Sequence, residues 1–195
     1  MTQEELDAVL ADHKLWLEEK GGRRANLYGA KLDFADLTGA ILCGANLNAT
    51  NLHRAKMSNA DLNGASLNGA NLYGANLTRA NLCGVGFYGA ILTRAKLDGA
   101  DLSEASFEGA EIEGRRKVIR LLRRAMRSNG NNEELFLWEC KDEFIVKAGQ
   151  MALTIGDARQ HWRTGTPFGD ETMDILGMFE KAINRIALKA LGEKA

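Results

Sequence analysis

From Ala25 to Gly114 the chain repeats every five residues without a break in register, giving eighteen pentapeptides of the form A-(N/D)-L-x-x. The third residue is Leu except for Met57, Phe87, Phe107 and Ile112, and the first is Ala except for Thr50 and Val85. A period of five fits neither regular element. Five helical residues swing an apolar stripe by about 140°, and five strand residues carry it to the opposite face. The chain therefore has to turn a corner in each repeat. If each pentapeptide is one side of a square, four make a coil, Leu fills the centre, and Ala sits near the corner where only a methyl fits. Glycine numbers 21 residues of 195 against the single Pro167, and it supplies backbone freedom beside the corners.

These repeats resemble the pentapeptide-repeat family, whose A-(N/D)-L-x-x pattern they follow almost throughout. The resemblance implies a mainly β fold, a right-handed quadrilateral β-helix of about four and a half coils, about 22 Å long at the usual strand spacing. Residues twenty apart then share a column. Leu27, Leu47, Leu67, Phe87 and Phe107 form one inner column, aromatic on aromatic in its last two coils. Cys43 and Cys83 share an outer column two coils apart, too far for a disulfide. His53 falls one coil below Tyr73, as a surface stack.

The family includes members that resemble duplex DNA in shape and charge and occupy the DNA site of type II topoisomerases, so a topoisomerase is one partner the resemblance implies. Residues 25–114 carry nine acids and six bases. Six of the acids, Asp98, Asp101, Glu104, Glu108, Glu111 and Glu113, crowd into the last coil and a little more. A duplex mimic wants carboxylates along its whole length, as phosphates run along DNA. One face is almost uncharged, with Asn26, Tyr28, Asn46, Asn48, Asn68 and Tyr88 outward. That composition suits a protein contact, and it also suits plain Asn ladders on a solvated sheet.

An open solenoid exposes core and strand edges at both ends and needs caps. Residues 1–24 read as an N-terminal capping helix. Thr2 with Glu5 has capping-box spacing, Leu6, Val9, Leu10, His13, Trp16 and Leu17 follow at helical spacing, and Gly21 and Gly22 stop the helix. Support of a homodimer is the alternative role. Residues 115–127, RRKVIRLLRRAMR, hold seven bases and no acid and read as a basic amphipathic helix. Arg116, Arg120, Arg123, Arg124 and Arg127 form a candidate basic contact, either docked on the acidic last coil or free for nucleic acid. Residues 128–195 read as a small C-terminal α+β module. Phe136 to Cys140 and Phe144 to Lys147 form a hairpin, Thr154 with Asp157 opens a helix, and a last helix runs from about Asp170 to Leu191. The stretches VKAGQMALTIGDARQHW and LDAVLADHKLWLEEKGG are similar to segments of some bacterial and phage pentapeptide-repeat proteins. Gln150 stands where related versions have Cys.

An enzyme needs a nucleophile with a base, paired carboxylates, a metal cluster or a phosphate loop, and none is legible here. His161 beside Trp162 is the one catalytic-looking residue, and a packed histidine accounts for it. No catalytic residue, cofactor or metal ligand is expected. With 25 Lys plus Arg against 26 Asp plus Glu, no global field holds the chain on a polyanion or membrane. Three cysteines without C-x-x-C spacing read as reduced thiols, and no apolar run reaches the 18 or so residues of a membrane span. The expectation is a cytoplasmic interaction protein whose solenoid is a docking surface or spacer and whose C-terminal module binds a partner or another subunit. A DNA-mimic modulator of a topoisomerase, or direct nucleic-acid binding, is the alternative.

Overall fold

The computed structural model describes residues 1–112, 116–126, 134–140, 144–148, 151–154, 157–158, 160, 175–181 and 183–184. It divides into two compact units, Met1–Ile119 and Arg120–Ala195.

In the first unit the pentapeptides build a β-helix solenoid. Parallel bridges join second residues twenty apart, Asn26 to Asn46, Lys31 to Asn51, Asp36 to Lys56 and Ile41 to Asp61, and continue to the pair Ile91 and Glu111. One coil therefore takes four pentapeptides. The reason is visible in where each backbone N–H goes. In the repeat starting at Ala25, Leu27 N donates to Asn46 O at 2.7 Å and Gly29 N to Asn48 O at 2.9 Å, while Asn46 N reaches back to Ala25 O at 3.0 Å. Ala30 N closes the corner on Leu27 O at 3.0 Å. Where the second residue is Asn or Asp, its side chain takes the fourth N–H, as in Thr38 N to Asp36 Oδ1 at 3.1 Å, Tyr73 N to Asn71 Oδ1 at 3.1 Å and Ser103 N to Asp101 Oδ1 at 2.9 Å. Each position of the motif thus has its own donor solution, and Asn or Asp at position two is the piece that satisfies the corner.

The fifth residue is left-handed in every repeat from Gly29 to Gly109. Where it is not Gly the backbone holds the same conformation, with φ of +59° at Phe34, +52° at Arg54 and +59° at Arg94. An L-residue there costs roughly 1 kcal/mol, which the four-sided hydrogen bonding outweighs.

Ala and Leu positions fill the interior. Leu42, Leu47, Leu52, Leu62, Leu67 and Leu72 are fully buried, and so are Ala45, Ala55 and Ala70. Thr50, at an Ala position, is buried because its Oγ1 donates to Leu27 O at 2.8 Å. Phe87 and Phe107 stack with ring centroids 4.9 Å apart and planes 11° apart.

Helix α1, Gln3–Leu17, opens on the capping box, with Glu5 N donating to Thr2 Oγ1 and Thr2 N to Glu5 Oε2. It closes the first coil by supplying partners that a preceding pentapeptide or a preceding coil would have given. Ala25 N donates to His13 Nδ1 at 3.1 Å, and Asp36 N donates to Gln3 Oε1 at 3.2 Å. Gln3 Nε2 donates to Asp36 O at 3.1 Å, and Leu6 is fully buried. Gly22 returns the chain beneath α1, where a Cβ would collide with the Asp12 carbonyl.

After the last corner, β1 (Glu111–Ile112) pairs antiparallel with β2 (Arg116–Met126), Glu111 opposite Lys117 and Ile112 opposite Arg116. This corrects the expected helix over 115–127. Val118, Leu121, Leu122 and Ala125 do have helical spacing, but the end of the solenoid offers an unpaired strand edge, and pairing that edge overrides local propensity. The division between units falls inside β2.

In the second unit β3 (Glu134–Cys140), β4 (Phe144–Ala148) and β5 (Met151–Thr154) form an antiparallel meander, with Trp138 opposite Ile145 and Ile145 opposite Thr154. Leu137, Trp138, Ile145, Ala158, Ile175, Leu176 and Phe179 are buried. Thr154 Oγ1 accepts from Asp157 N at 3.2 Å at the start of helical residues 157–158 and 160. Residues 175–181 and 183–184 are helical within the expected last helix, whose ends at Asp170 and Leu191 lie outside the described residues, as do Gln150, His161, Trp162 and Pro167.

Two outcomes follow from this packing. Phe87→Ala removes one ring of the buried pair and should lower the unfolding free energy by about 3–5 kcal/mol in denaturant titration. His13 is fully buried, and burial first, with the Arg24 charge also contributing, lowers its pKa below the ordinary 6.5 against an opposing contribution from the Cys43 backbone. Its neutral Nδ1 accepts the Ala25 N–H, so this stabilisation is complete above pH 6.5 and is lost as pH falls through the lowered value. His13→Gln should therefore flatten the acid limb of a melting-temperature profile measured from neutral pH downward.

Candidate docking faces of the solenoid

Stacking of pentapeptides twenty residues apart turns the outward positions into four faces. The repeats starting at 25, 45, 65, 85 and 105 bring Asn26, Tyr28, Asn46, Asn48, Asn68 and Tyr88 onto one of them. Tyr28 is 68% exposed and Tyr88 62%. Between them the carboxamides form a ladder. Asn46 Nδ2 donates to Asn26 Oδ1 at 2.9 Å, and Asn48 Oδ1 accepts from Asn68 N at 2.9 Å and from Ser66 Oγ. Asn68 Oδ1 accepts from Tyr88 N at 2.9 Å.

On this face the second residue is Ser66 or Gly86 in the third and fourth coils, so the corner N–H is satisfied by the fourth-position Asn of the coil before. Gly86 leaves room for this arrangement, since a Cβ there would sit a tight 3.0 Å from Asn68 Oδ1. Asn48 and Asn68 are therefore corner caps as well as surface groups, a role the sequence pattern did not disclose. Charge is absent from this face through its first four coils, and Glu108 begins it in the fifth.

The acidic cluster does not form a stripe. Asp98 lies on the stack starting at 35, Asp101 and Glu104 on the stack starting at 40, Glu108 on the stack starting at 25, and Glu111 on the stack starting at 30. The acids encircle the end of the solenoid. Glu113 lies outside the described residues. Of the basic segment, Arg116, Arg120, Arg123 and Arg124 are placed by backbone on β2, and Arg127 lies outside the described residues.

A second outward feature is an aromatic column on the stack starting at 30. Phe34, 59% exposed, meets His53 edge-on at 5.6 Å. His53 stacks on Tyr73 at 5.3 Å, and the Arg94 guanidinium lies 5.7 Å from the Tyr73 ring centre. The pairing of His53 with Tyr73 follows from their twenty-residue spacing. Phe34 and Arg94 join because the left-handed fifth position aims their side chains along the same corner.

Among the described residues no group of His, Cys, Asp and Glu is arranged to hold a metal ion, and no helix is long and apolar enough to cross a membrane. Cys43, Cys83 and Cys140 are free thiols. Burial, followed by the hydrogen bond and charge of Asp61, pushes the Cys43 thiol up to about 11 from 9.0. At pH 8 its alkylation should run about a hundredfold slower than that of an ordinary thiol. Asp61→Asn should raise the rate, as read by peptide-level mass spectrometry after timed iodoacetamide treatment.

The family described as Pentapeptide repeats matches the chain in eight copies over residues 25–64, 50–89 and 87–114. Similar solved structures include a pentapeptide repeat protein from the Arabidopsis thaliana thylakoid lumen, 31% identical, covering 45% of this chain and 61% of that one, with a TM-score of 0.44. Rfr23 from the cyanobacterium Cyanothece 51142 is 43% identical, covering 47% of this chain and 55% of that one, with a TM-score of 0.30. QnrB1, a plasmid-mediated fluoroquinolone resistance protein, is 26% identical, covering 50% of this chain and 49% of that one, with a TM-score of 0.43. The chain thus spans 61% and 55% of the length of the first two of these. No curated protein matches it. Residues 25–114 of the chain are thus a run of pentapeptide repeats.

Proposed function

We propose that the protein is a non-catalytic macromolecular interaction protein, whose right-handed, four-sided solenoid of about four and a half coils is a rigid docking surface. The observation that carries this reading is the face of Asn26, Tyr28, Asn46, Asn48, Asn68 and Tyr88. It is uncharged over four coils, its amides are locked in a ladder, and it ends in two exposed tyrosines. A locked surface loses little side-chain entropy on binding, and tyrosine contributes large contact area with a polar tip. The residues after the solenoid serve in this reading as a module for partner binding or oligomerisation.

A DNA-mimic modulator of a type II topoisomerase is less well supported. Its carboxylates would need to follow the solenoid axis, whereas Asp98, Asp101, Glu104, Glu108 and Glu111 surround one end of it. Binding of nucleic acid through Arg116, Arg120, Arg123 and Arg124 would show as strongly salt-dependent affinity, lost when these residues are neutralised.

The immobilised chain, incubated with a bacterial lysate, is expected to retain a reproducible protein that a Tyr28→Ala/Tyr88→Ala variant does not, while gyrase supercoiling proceeds uninhibited. Retention that ignores the two tyrosines would refute the docking face. Inhibition of supercoiling would instead favour the DNA-mimic reading.

A further inference from the structure

Every base of residues 25–112 lies on two adjoining faces of the solenoid. Lys31, Arg54 and Arg94 belong to the stack starting at 30, and Lys56, Arg79 and Lys96 to the stack starting at 35. All six are exposed, and the stacks starting at 25 and 40 hold no base. In residues 50–59, 70–79 and 90–99, the second to fourth coils of these two faces, five bases stand against the single acid Asp98. A chain with almost no net charge thus carries a local positive strip along its solenoid axis.

The strip is interleaved with the aromatic column. The corner between the two faces is lined by the fifth residues Phe34, Arg54, Gly74 and Arg94, on the stack that also carries His53 and Tyr73. Glycines one coil later leave room for two arginine stems, since a Cβ at Gly74 would come 3.3 Å from Arg54 Cγ and one at Gly99 3.0 Å from Arg79 Cγ. Phe34 is 59% exposed and keeps a φ of +59° where most repeats have Gly. It therefore carries roughly 1 kcal/mol of backbone strain and an apolar ring in water, neither of which the fold requires. Its plane lies at 79° to His53, outside the parallel stack of His53 on Tyr73, which leaves the exposed ring for a further planar group.

We propose that these two faces bind a single strand of nucleic acid, with phosphates on Arg54, Lys56, Arg79, Arg94 and Lys96 and a base stacked on Phe34. The site is separate from the Asn and Tyr face and does not depend on it. A single strand supplies both halves of the pattern, a row of negative charges and bases whose planes are open to stack on aromatic rings. A duplex keeps its bases inside its own stack, and an acidic polypeptide offers carboxylates alone, so neither makes use of Phe34. Lys56 has Asp36 as an exposed ion-pair partner at 3.7 Å, a contact weak enough for a phosphate to displace. From Phe34 to Lys96 the strip covers three coil spacings, about 14 Å, room for a few nucleotides.

Fluorescence anisotropy of a labelled oligo(dT) of about 12 nucleotides, titrated with the full chain, tests this. Binding is expected to weaken about a hundredfold between about 50 and about 200 mM salt, as release of ~0.7 counterions at each of about five phosphates requires. Phe34→Gly should lower affinity about tenfold at every salt concentration. Arg54→Gly/Arg79→Gly should lower it too, and reduce the salt dependence to that of about three contacts. Both variants place Gly where the backbone is already left-handed, so melting temperatures at or above wild type are expected and show that each is folded. An abasic strand of the same length, which needs no variant, should bind about tenfold more weakly than oligo(dT). Equal affinity for the abasic strand or for a duplex overturns the single-strand reading. Displacement of the oligonucleotide by poly-glutamate at equal charge concentration assigns the faces to an acidic protein instead. Binding that both variants leave unchanged lies on another surface, and absence of binding at about 50 mM salt overturns the proposal outright.

Discussion

The whole solenoid depends on where five consecutive N–H groups go. The second, third and fifth residues bond to neighbouring coils, the first closes the corner, and in the Asn and Asp repeats the fourth takes the oxygen of a side chain. Where the second residue is Asn or Asp, its loss leaves the fourth N–H of that corner without its side-chain acceptor. The motif A-(N/D)-L-x-x is thus a hydrogen-bond prescription as much as a packing rule. Leu fills the interior, and Asn or Asp makes the turn that brings the next Leu inward.

The same requirement explains the ends. A first coil has no coil before it, and Gln3, His13 and Leu6 of α1 stand in for one with two backbone-directed side chains and a buried aliphatic group. At the other end the exposed strand edge is met by a strand, with β2 paired on β1 through Lys117 and Arg116. One end accepts a helix because single side chains can reach its orphan groups. The other continues as sheet because β1 offers a ladder.

The outward positions are freed by this division of labour, since only Asn48 and Asn68 among the docking-face residues carry both a corner bond to the next coil and a surface role. Asn26 and Asn46 accept the fourth N–H of their own repeats. Tyr28 and Tyr88 cost the solenoid nothing in packing and are exposed, and Phe34 even keeps a left-handed backbone while exposed. Side chains held where neither burial nor backbone requires them are the natural candidates for recognition.

Sequence alone determined the repeat, its inward and outward positions, the twenty-residue columns and the capping box of α1, because each rests on strict local periodicity or on residues three apart. It also placed Asn26, Asn46, Asn48, Asn68, Tyr28 and Tyr88 on one face. Only the tertiary structure decided the rest. It spread the late acids around the solenoid, drew Phe34 and Arg94 to the His53–Tyr73 stack, and made Asn48 and Asn68 cap the corner of the next coil. It also turned residues 116–126 into a strand, because pairing with the edge at Glu111 and Ile112 outweighs the helical spacing of Val118, Leu121, Leu122 and Ala125.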